Sequence, residues 1–198
     1  PRAIRDVYKR QLYESRTDVP GTNVTLLGCT LWSRIPDSDV SAVVKKVSEF
    51  DEESGIRDWD VNKHNEKHMR DLLWLVDEVR TPSAAGGLAP AGSKEGRQVV
   101  VVTAFSPEIR ECLDPWKVDA PWASAYGTNL LGGQEQFSNV KLWVSGTTGK
   151  SCEFKKGNTT VVSNQRGRQS EEVTGLLRDG MSDKQKIGLF DVTRIVRV

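Results

Sequence analysis

Several groups of residues have types and spacings that could do chemistry. In VKLWVSGTTGKS, Val140 to Ser151, a strand-like apolar run breaks into Gly-Thr-Thr-Gly-Lys-Ser. Gly149-Lys150-Ser151 spells the end of a phosphate-binding loop, G-x-x-x-x-G-K-[ST]. The first glycine of that motif would fall on Val144, and Gly146 lies two residues too close. The shortened loop cannot wrap its backbone N–H groups around a phosphate. The following CEFKKGNTTVVSN has strand–turn–strand character, so no helix N-terminus is there to receive an anion. Nucleotide binding is therefore not expected. His64 and His68, the only histidines, stand four residues apart and could share a metal ion from one helix face. The zinc-protease helix reads H-E-x-x-H; here Asn65 follows the first histidine, and Glu66 points about 100° further round the helix. The simpler role is a pair of buried histidines hydrogen-bonded to backbone. A ligand or substrate-contacting role is the alternative.

Cys29, Cys112 and Cys152 include no CxxC and no adjacent histidine, and their number is odd. Neither a disulfide framework nor a cysteine nucleophile is expected, and a reducing, cytoplasmic compartment follows. Ser106 and Ser145 end strands, but neither lies in a G-x-S-x-G elbow. No nucleophilic triad is evident, and the carboxylates form no paired motif.

The elements that must position these residues are legible from periodicity. NVTLLGCTLWS, residues 23–33, is a buried strand whose far end carries Thr30, Trp32 and Ser33 into a loop. DVSAVVKKVSEF places Val40, Val43, Val44, Val47 and Phe50 at helical spacing, with Asp39 as a candidate cap. The clearest helix is predicted over 60–80, with Asp60 as N-cap. Its apolar face holds Val61, His64, His68, Leu72, Leu75, Val76 and Val79, and Glu66 pairs with Arg70 on the wet side. Residues 81–97, rich in Ala, Gly, Pro and Ser, read as a flexible loop within one domain. RQVVVVTAFSP, NVKLWVSG and NTTVVSNQRG are strands, the first two with runs expected of a sheet covered on both faces. LFDVTRIVRV alternates and predicts a final strand. Strands alternating with helices give an α/β or layered α+β domain.

At 198 residues the chain suits one domain with a real core. It is 37% hydrophobic and 28% charged, with a net charge of +1, which gives no ground for a nucleic-acid or membrane-surface partner. The basic clusters Lys155-Lys156 and Arg166 with Arg168 are short and read as solvated surface. The longest apolar run, about VVVV, is far short of a membrane span. Residues 1–11, PRAIRDVYKRQ, are polar and charged and do not read as a secretory leader. DVYKRQ looks like a translated sequencing adaptor, so residues 1–11 are set aside as an adaptor-derived scar, with an upstream part of the gene expected to be lost.

Taken in order, LLGCTLWSRIP, the HN..H..DL.WL helix, a strand ending VVVT..SP, W....LL, VKLWVSG.T and VVSNQRG carry a resemblance. The series resembles the C-terminal portion of the calcineurin-like metallophosphoesterases, particularly a fungal-type group, over nearly everything from Leu12 to Val198. The resemblance implies a sandwich of two mixed sheets flanked by helices, with the N-terminal part missing. It implies phosphoester hydrolysis by two divalent metal ions (Mn, Fe, Zn or similar) held by loops at strand ends. The family motifs D-x-H, G-D-x-x-D and G-N-H are absent from this chain. The family histidine after the VVT strand falls on Ala104, and those of G-H-x-H fall on Thr147 and Gly149. Alanine and glycine have no side-chain donor, and a neutral threonine hydroxyl replaces an imidazole poorly. Asn129 stands where the family often has Asp, and Arg168 where an aromatic commonly follows.

The expectation is thus a truncated family member with no intact catalytic residue and no metal or other cofactor of its own. Its old cleft, with His64, Asn65, His68, Asn164 and Gln165 as candidate residues, would bind a small phosphoester or a protein partner. For Asn164-Gln165-Arg166-Gly167, a polar surface turn is the simpler role. The alternative is an active two-metal phosphoester hydrolase, in which the upstream segment restores most ligands and the helix histidines supply the rest. Loss of N-terminal strands would also leave sheet edges exposed.

Overall fold

The computed structural model describes residues 11–80, 96–133, 135–166 and 189–198. The expectations about residues 1–10, the 81–95 loop, Gly167 and Arg168 lie outside the described residues. Among the described residues six strands form one mixed sheet: β1 (Ser15–Asp18), β2 (Val24–Cys29), β3 (Gln98–Thr103), β4 (Val140–Ser145), β5 (Cys152–Lys156) and β6 (Thr159–Ser163). Their order is β1-β2-β3-β4-β6-β5. The central β2, β3, β4 and β6 run parallel, and β1 and β5 close the two sides antiparallel. All four parallel strands therefore end at one edge of the sheet. The fold class is mixed α/β, as the alternation of elements implies.

The Val99–Val102 run alternates between two cores, as strand geometry requires. Val101 joins Leu27, Trp143 and Val161 on one face, beneath Leu75 and Val79 of the long helix. Val100 joins Leu142 and Val162 on the other, with Val196 of the C-terminal segment packed against them. Trp143 is fully buried and its Nε1–H donates to Thr103 Oγ1 at 2.9 Å, so its one polar atom is satisfied. A third cluster, Ile35, Val43 and Ala125, fixes α1 (Val40–Lys46) against the 122–126 turn. Gly28 is needed where it lies: a Cβ there would come within 2.3 Å of Leu12 Cβ.

Helix α2 (Val61–Arg80) starts as predicted, with the Lys63 N–H donating to the Asp60 carboxylate at 2.8 Å. Other local expectations are corrected by longer-range partners. Asp39 makes no cap hydrogen bond; it accepts from Ser124 Oγ at 2.7 Å instead. The helix ends at Lys46, because Val47 is extended and Ser48–Phe50 forms a 3-10 turn. Arg70 turns from Glu66 to Glu14, 2.6 Å away, because β1 brings that carboxylate alongside. Arg97 is not part of a flexible loop. It donates to Thr25 Oγ1 at 2.8 Å and pairs with Asp18 at 3.3 Å.

The C-terminal decapeptide is not a strand. Asp191 Oδ1 accepts from both the N–H and hydroxyl of Thr193, a local turn that competes with ladder pairing. Val192 and Ile195 point to solvent, so the alternating pattern has no second face to bury. β1, with its polar SRTD sequence, had no apolar signature. Among the described residues no helix is long and apolar enough to cross a membrane.

Candidate functional site

In open sheets with parallel strands, ligands bind beyond the carboxyl ends of the strands. Here that edge is built from Thr30–Ile35 after β2, Ala104–Ser106 after β3, Gly146–Ser151 after β4 and Asn164–Gln165 after β6. Backbone hydrogen bonds stitch these ends together. The N–H groups of Ala104 and Phe105 both donate to the Thr30 carbonyl, at 3.2 and 3.1 Å. The Ala104 carbonyl accepts from the Gly146 N–H at 3.1 Å and from Thr147 Oγ1 at 2.6 Å.

The loop after β2 is held by one face of α2. Asp71 Oδ2 accepts the Leu31 N–H at 2.8 Å, His68 Nδ1–H donates to the Trp32 carbonyl, and His64 Nε2 bonds Ser33 Oγ at 3.0 Å. Asn65 grips Ile35 twice, accepting its N–H and donating to its carbonyl, both at 2.8 Å. His64, His68 and Asp71 are buried, and Leu31 takes a left-handed conformation with φ 51°. Four helix residues at positions 64, 65, 68 and 71 thus fix a loop that a non-glycine residue would otherwise avoid.

The His64 ring sits in an aromatic box, with centroids of Trp32, Phe50, Phe105 and Trp59 at 5.0, 5.7, 5.9 and 6.0 Å. Burial pushes its pKa down to about 4, with neighbouring His68 adding to the shift and the Ser33 hydrogen bond opposing it. Burial also lowers His68, against the opposing Trp32 carbonyl. Both rings are neutral at pH 7; His68 fills the expected backbone-bonding role, whereas His64 bonds the Ser33 hydroxyl and not backbone.

On the other side, Gln165 organises the 146–151 loop. Its Oε1 accepts the Gly149 N–H at 2.7 Å, and its Nε2 donates to Ser163 Oγ, Thr148 Oγ1 and the Lys150 carbonyl at 2.7, 2.8 and 3.2 Å. Thr147 and Gly149 both have positive φ, 69° and 78°. Lys150, which a phosphate loop would aim at a ligand, donates instead to the carbonyls of Glu111 and Leu113, both at 2.9 Å. Asn164 clamps the C-terminal segment through the Asp191 carbonyl (2.8 Å) and N–H (2.9 Å).

The five candidate cleft residues therefore serve one sheet edge, three from helix α2 and two from the end of β6, but hold three different segments. His64, Asn65 and His68 hold the loop after β2, Gln165 holds the loop after β4, and Asn164 holds the C-terminal segment. The open depression nearest the middle of the edge is about 510 Å³, lined by Leu12, Tyr13, Cys29, Thr30, Thr103 and Ala104 among others. Its lining residues offer hydroxyl, amide, thiol and backbone groups, with no base to pair with the Cys29 thiol. Among the described residues no cluster of three His, Cys, Asp or Glu could hold a metal ion. Ala104 and Gly149 carry no side-chain donor atom, and the Thr147 hydroxyl, a poor ligand beside an imidazole, is turned to the Ala104 carbonyl. The described residues do not fit a two-metal centre.

Sequence reasoning missed Asp71, although it shares the spacing of His64, His68 and Leu75 on α2. It also missed the pairing of Glu108 with Lys156, 2.6 Å across 48 residues, for which no local signal exists. No known family model matches this chain, and no curated protein matches it.

Proposed function

We propose that this chain is a calcineurin-like phosphoesterase relative whose strand-end site no longer hydrolyses phosphoesters and acts as a binding module. The single observation that supports this is the meeting of Ala104 and Thr147. The resemblance puts two family ligand positions there, and the parallel pairing of β3 with β4 brings them to hydrogen-bonding contact. Two positions 43 residues apart thus belong to one site, as ligands of a shared centre would. Their side chains are a methyl group and a hydroxyl that satisfies the neighbouring carbonyl. The two-sheet sandwich belongs to the same reading. The face carrying Val100, Leu142 and Val162 is apolar, as a face packed against a second sheet would be.

The occupant expected at the strand ends is a small phosphoester or a segment of a protein partner. The test is twofold. Aryl phosphate hydrolysis with Mn²⁺ should not exceed the metal-only rate, while a non-hydrolysable aryl phosphonate should shift amide resonances of Ala104, Thr147 and Gln165. Turnover that Thr147→Val leaves intact but chelation removes would refute the loss of hydrolysis. Shifts confined to surface lysines would refute the site.

A further inference from the structure

Two of the three buried, free cysteines, 40 residues apart in the chain, meet in the fold: Sγ of Cys112 and Sγ of Cys152 are 3.8 Å apart. Cys152 opens β5, which among the described residues is an edge strand paired only with β6. Cys112 lies in an irregular turn after β3. The juxtaposition is tied on both flanks. Lys150, two residues before Cys152, donates to the carbonyls of Glu111 and Leu113, the neighbours of Cys112 on either side. Lys156, four residues beyond, pairs with Glu108 at 2.6 Å and Glu111 at 3.5 Å. The two sulfurs cannot drift apart unless these ties break.

We propose that Cys112 and Cys152 are a built dithiol that closes to a disulfide when the protein meets hydrogen peroxide. Cys152 is the attacking sulfur. It is the more exposed of the two, 7% against 0%, so peroxide reaches it first; contact with Cys112 lowers its pKa against the opposing burial, and the charges of Lys150 and Arg194 add to that lowering. Cys112, fully buried and hydrogen-bonded to Cys152, keeps its proton. The Cys152 sulfur attacks one peroxide oxygen, the O–O bond breaks, and the departing hydroxide leaves as water with the thiol proton. This leaves a sulfenic acid at Cys152. The Cys112 sulfur then attacks the Cys152 sulfur. The S–S bond forms, the S–O bond breaks, and the hydroxyl leaves as water with the Cys112 proton. Two thiols and one peroxide become one disulfide and two waters. The sulfurs must close from 3.8 Å to about 2.05 Å, a side-chain motion at the start of an edge strand. Cys29 lies outside this pair; burial and the Asp71 carboxylate push its pKa up to about 12, so it stays a thiol.

The test uses the full chain, folded, with one equivalent of hydrogen peroxide, then denaturation in an alkylating reagent. The expected product has lost two hydrogens, carries a 112–152 link in its peptide map, and keeps only Cys29 open to alkylation. Dithiothreitol should restore all three thiols. Cys112→Ser should leave a dimedone-trappable sulfenic acid at Cys152. Should that variant fail to fold, the unmutated chain decides: linking should be roughly tenfold or more faster folded than in urea, because the fold supplies the proximity. Equal rates, a link through Cys29, or oxygen gain without a link would overturn the proposal.

Discussion

Replacing Asp71 by alanine tests how the strand-end loop is held. The Asp71 side chain is fully buried and accepts the N–H of Leu31, itself 1% exposed and left-handed at φ 51°. Losing the carboxylate leaves that N–H without its acceptor. A hydrogen bond to a charged group contributes about 1.5–3 kcal/mol. Leu31 retains a conformation that costs about 1–2 kcal/mol, now without the bond that imposes it. Against this, removing Asp71 relieves Glu14, whose pKa is raised by burial and then by the neighbouring Asp71. The expected net loss is about 2 kcal/mol, or roughly 4–8 °C in Tm for a chain of this size. Urea unfolding followed by tryptophan fluorescence measures it, and Trp32 reports the loop directly because it adjoins Leu31. Asp71→Asn keeps an acceptor oxygen and should lose about 1 kcal/mol or less. A loss below about 0.5 kcal/mol for alanine, or equal losses for both variants, would refute the view that this hydrogen bond holds the loop.

Three more outcomes are expected. His64 is neutral in the fold with its pKa near 4, so the unfolded chain takes up the proton first as pH falls below 6.5. Stability should be full above pH 6.5 and decline until about pH 4, by up to about 3 kcal/mol, with His68 acting in the same direction; His64→Gln should flatten this part of a Tm-versus-pH curve. Gln165→Ala removes the acceptor of Gly149 and the donor to Ser163 and Thr148, so it should cost about 2 kcal/mol and speed amide exchange at Gly149. Gly28→Ala should cost about 1–3 kcal/mol by driving its new Cβ into Leu12, and Leu12→Gly should recover part of that loss in the double variant, read by thermal denaturation.

Much of the fold was legible because its signals are local. The apolar runs of β2, β3 and β4 and the cap and spacing of α2 each reside in one short segment. The failures share a cause. The C-terminal decapeptide alternates like a strand, but Asn164, 27 residues away, fixes its Asp191 backbone, and the Asp191 carboxylate draws Thr193 into a local turn. β1 is polar, and its strand conformation follows from pairing with β2. Arg70 had a good partner in Glu66 by helical spacing and a better one in Glu14 by tertiary approach.

For the candidate site, sequence alone determined which side-chain donors are available. Ala104 and Gly149 cannot ligate a metal wherever the chain puts them, because side-chain chemistry is set by residue identity. Sequence also determined that Gly149-Lys150-Ser151 is followed by strand, since the period-two pattern and the Lys-Gly-Asn turn are local. Only the tertiary structure decided what the remaining polar residues do. Asn65 and His68 hold loop backbone and His64 holds the Ser33 hydroxyl, 30 to 36 residues away, and Cys112 meets Cys152 across 40. Such pairings depend on which strands lie side by side. That arrangement is settled by burial of the two sheet faces as a whole, so no short segment encodes it.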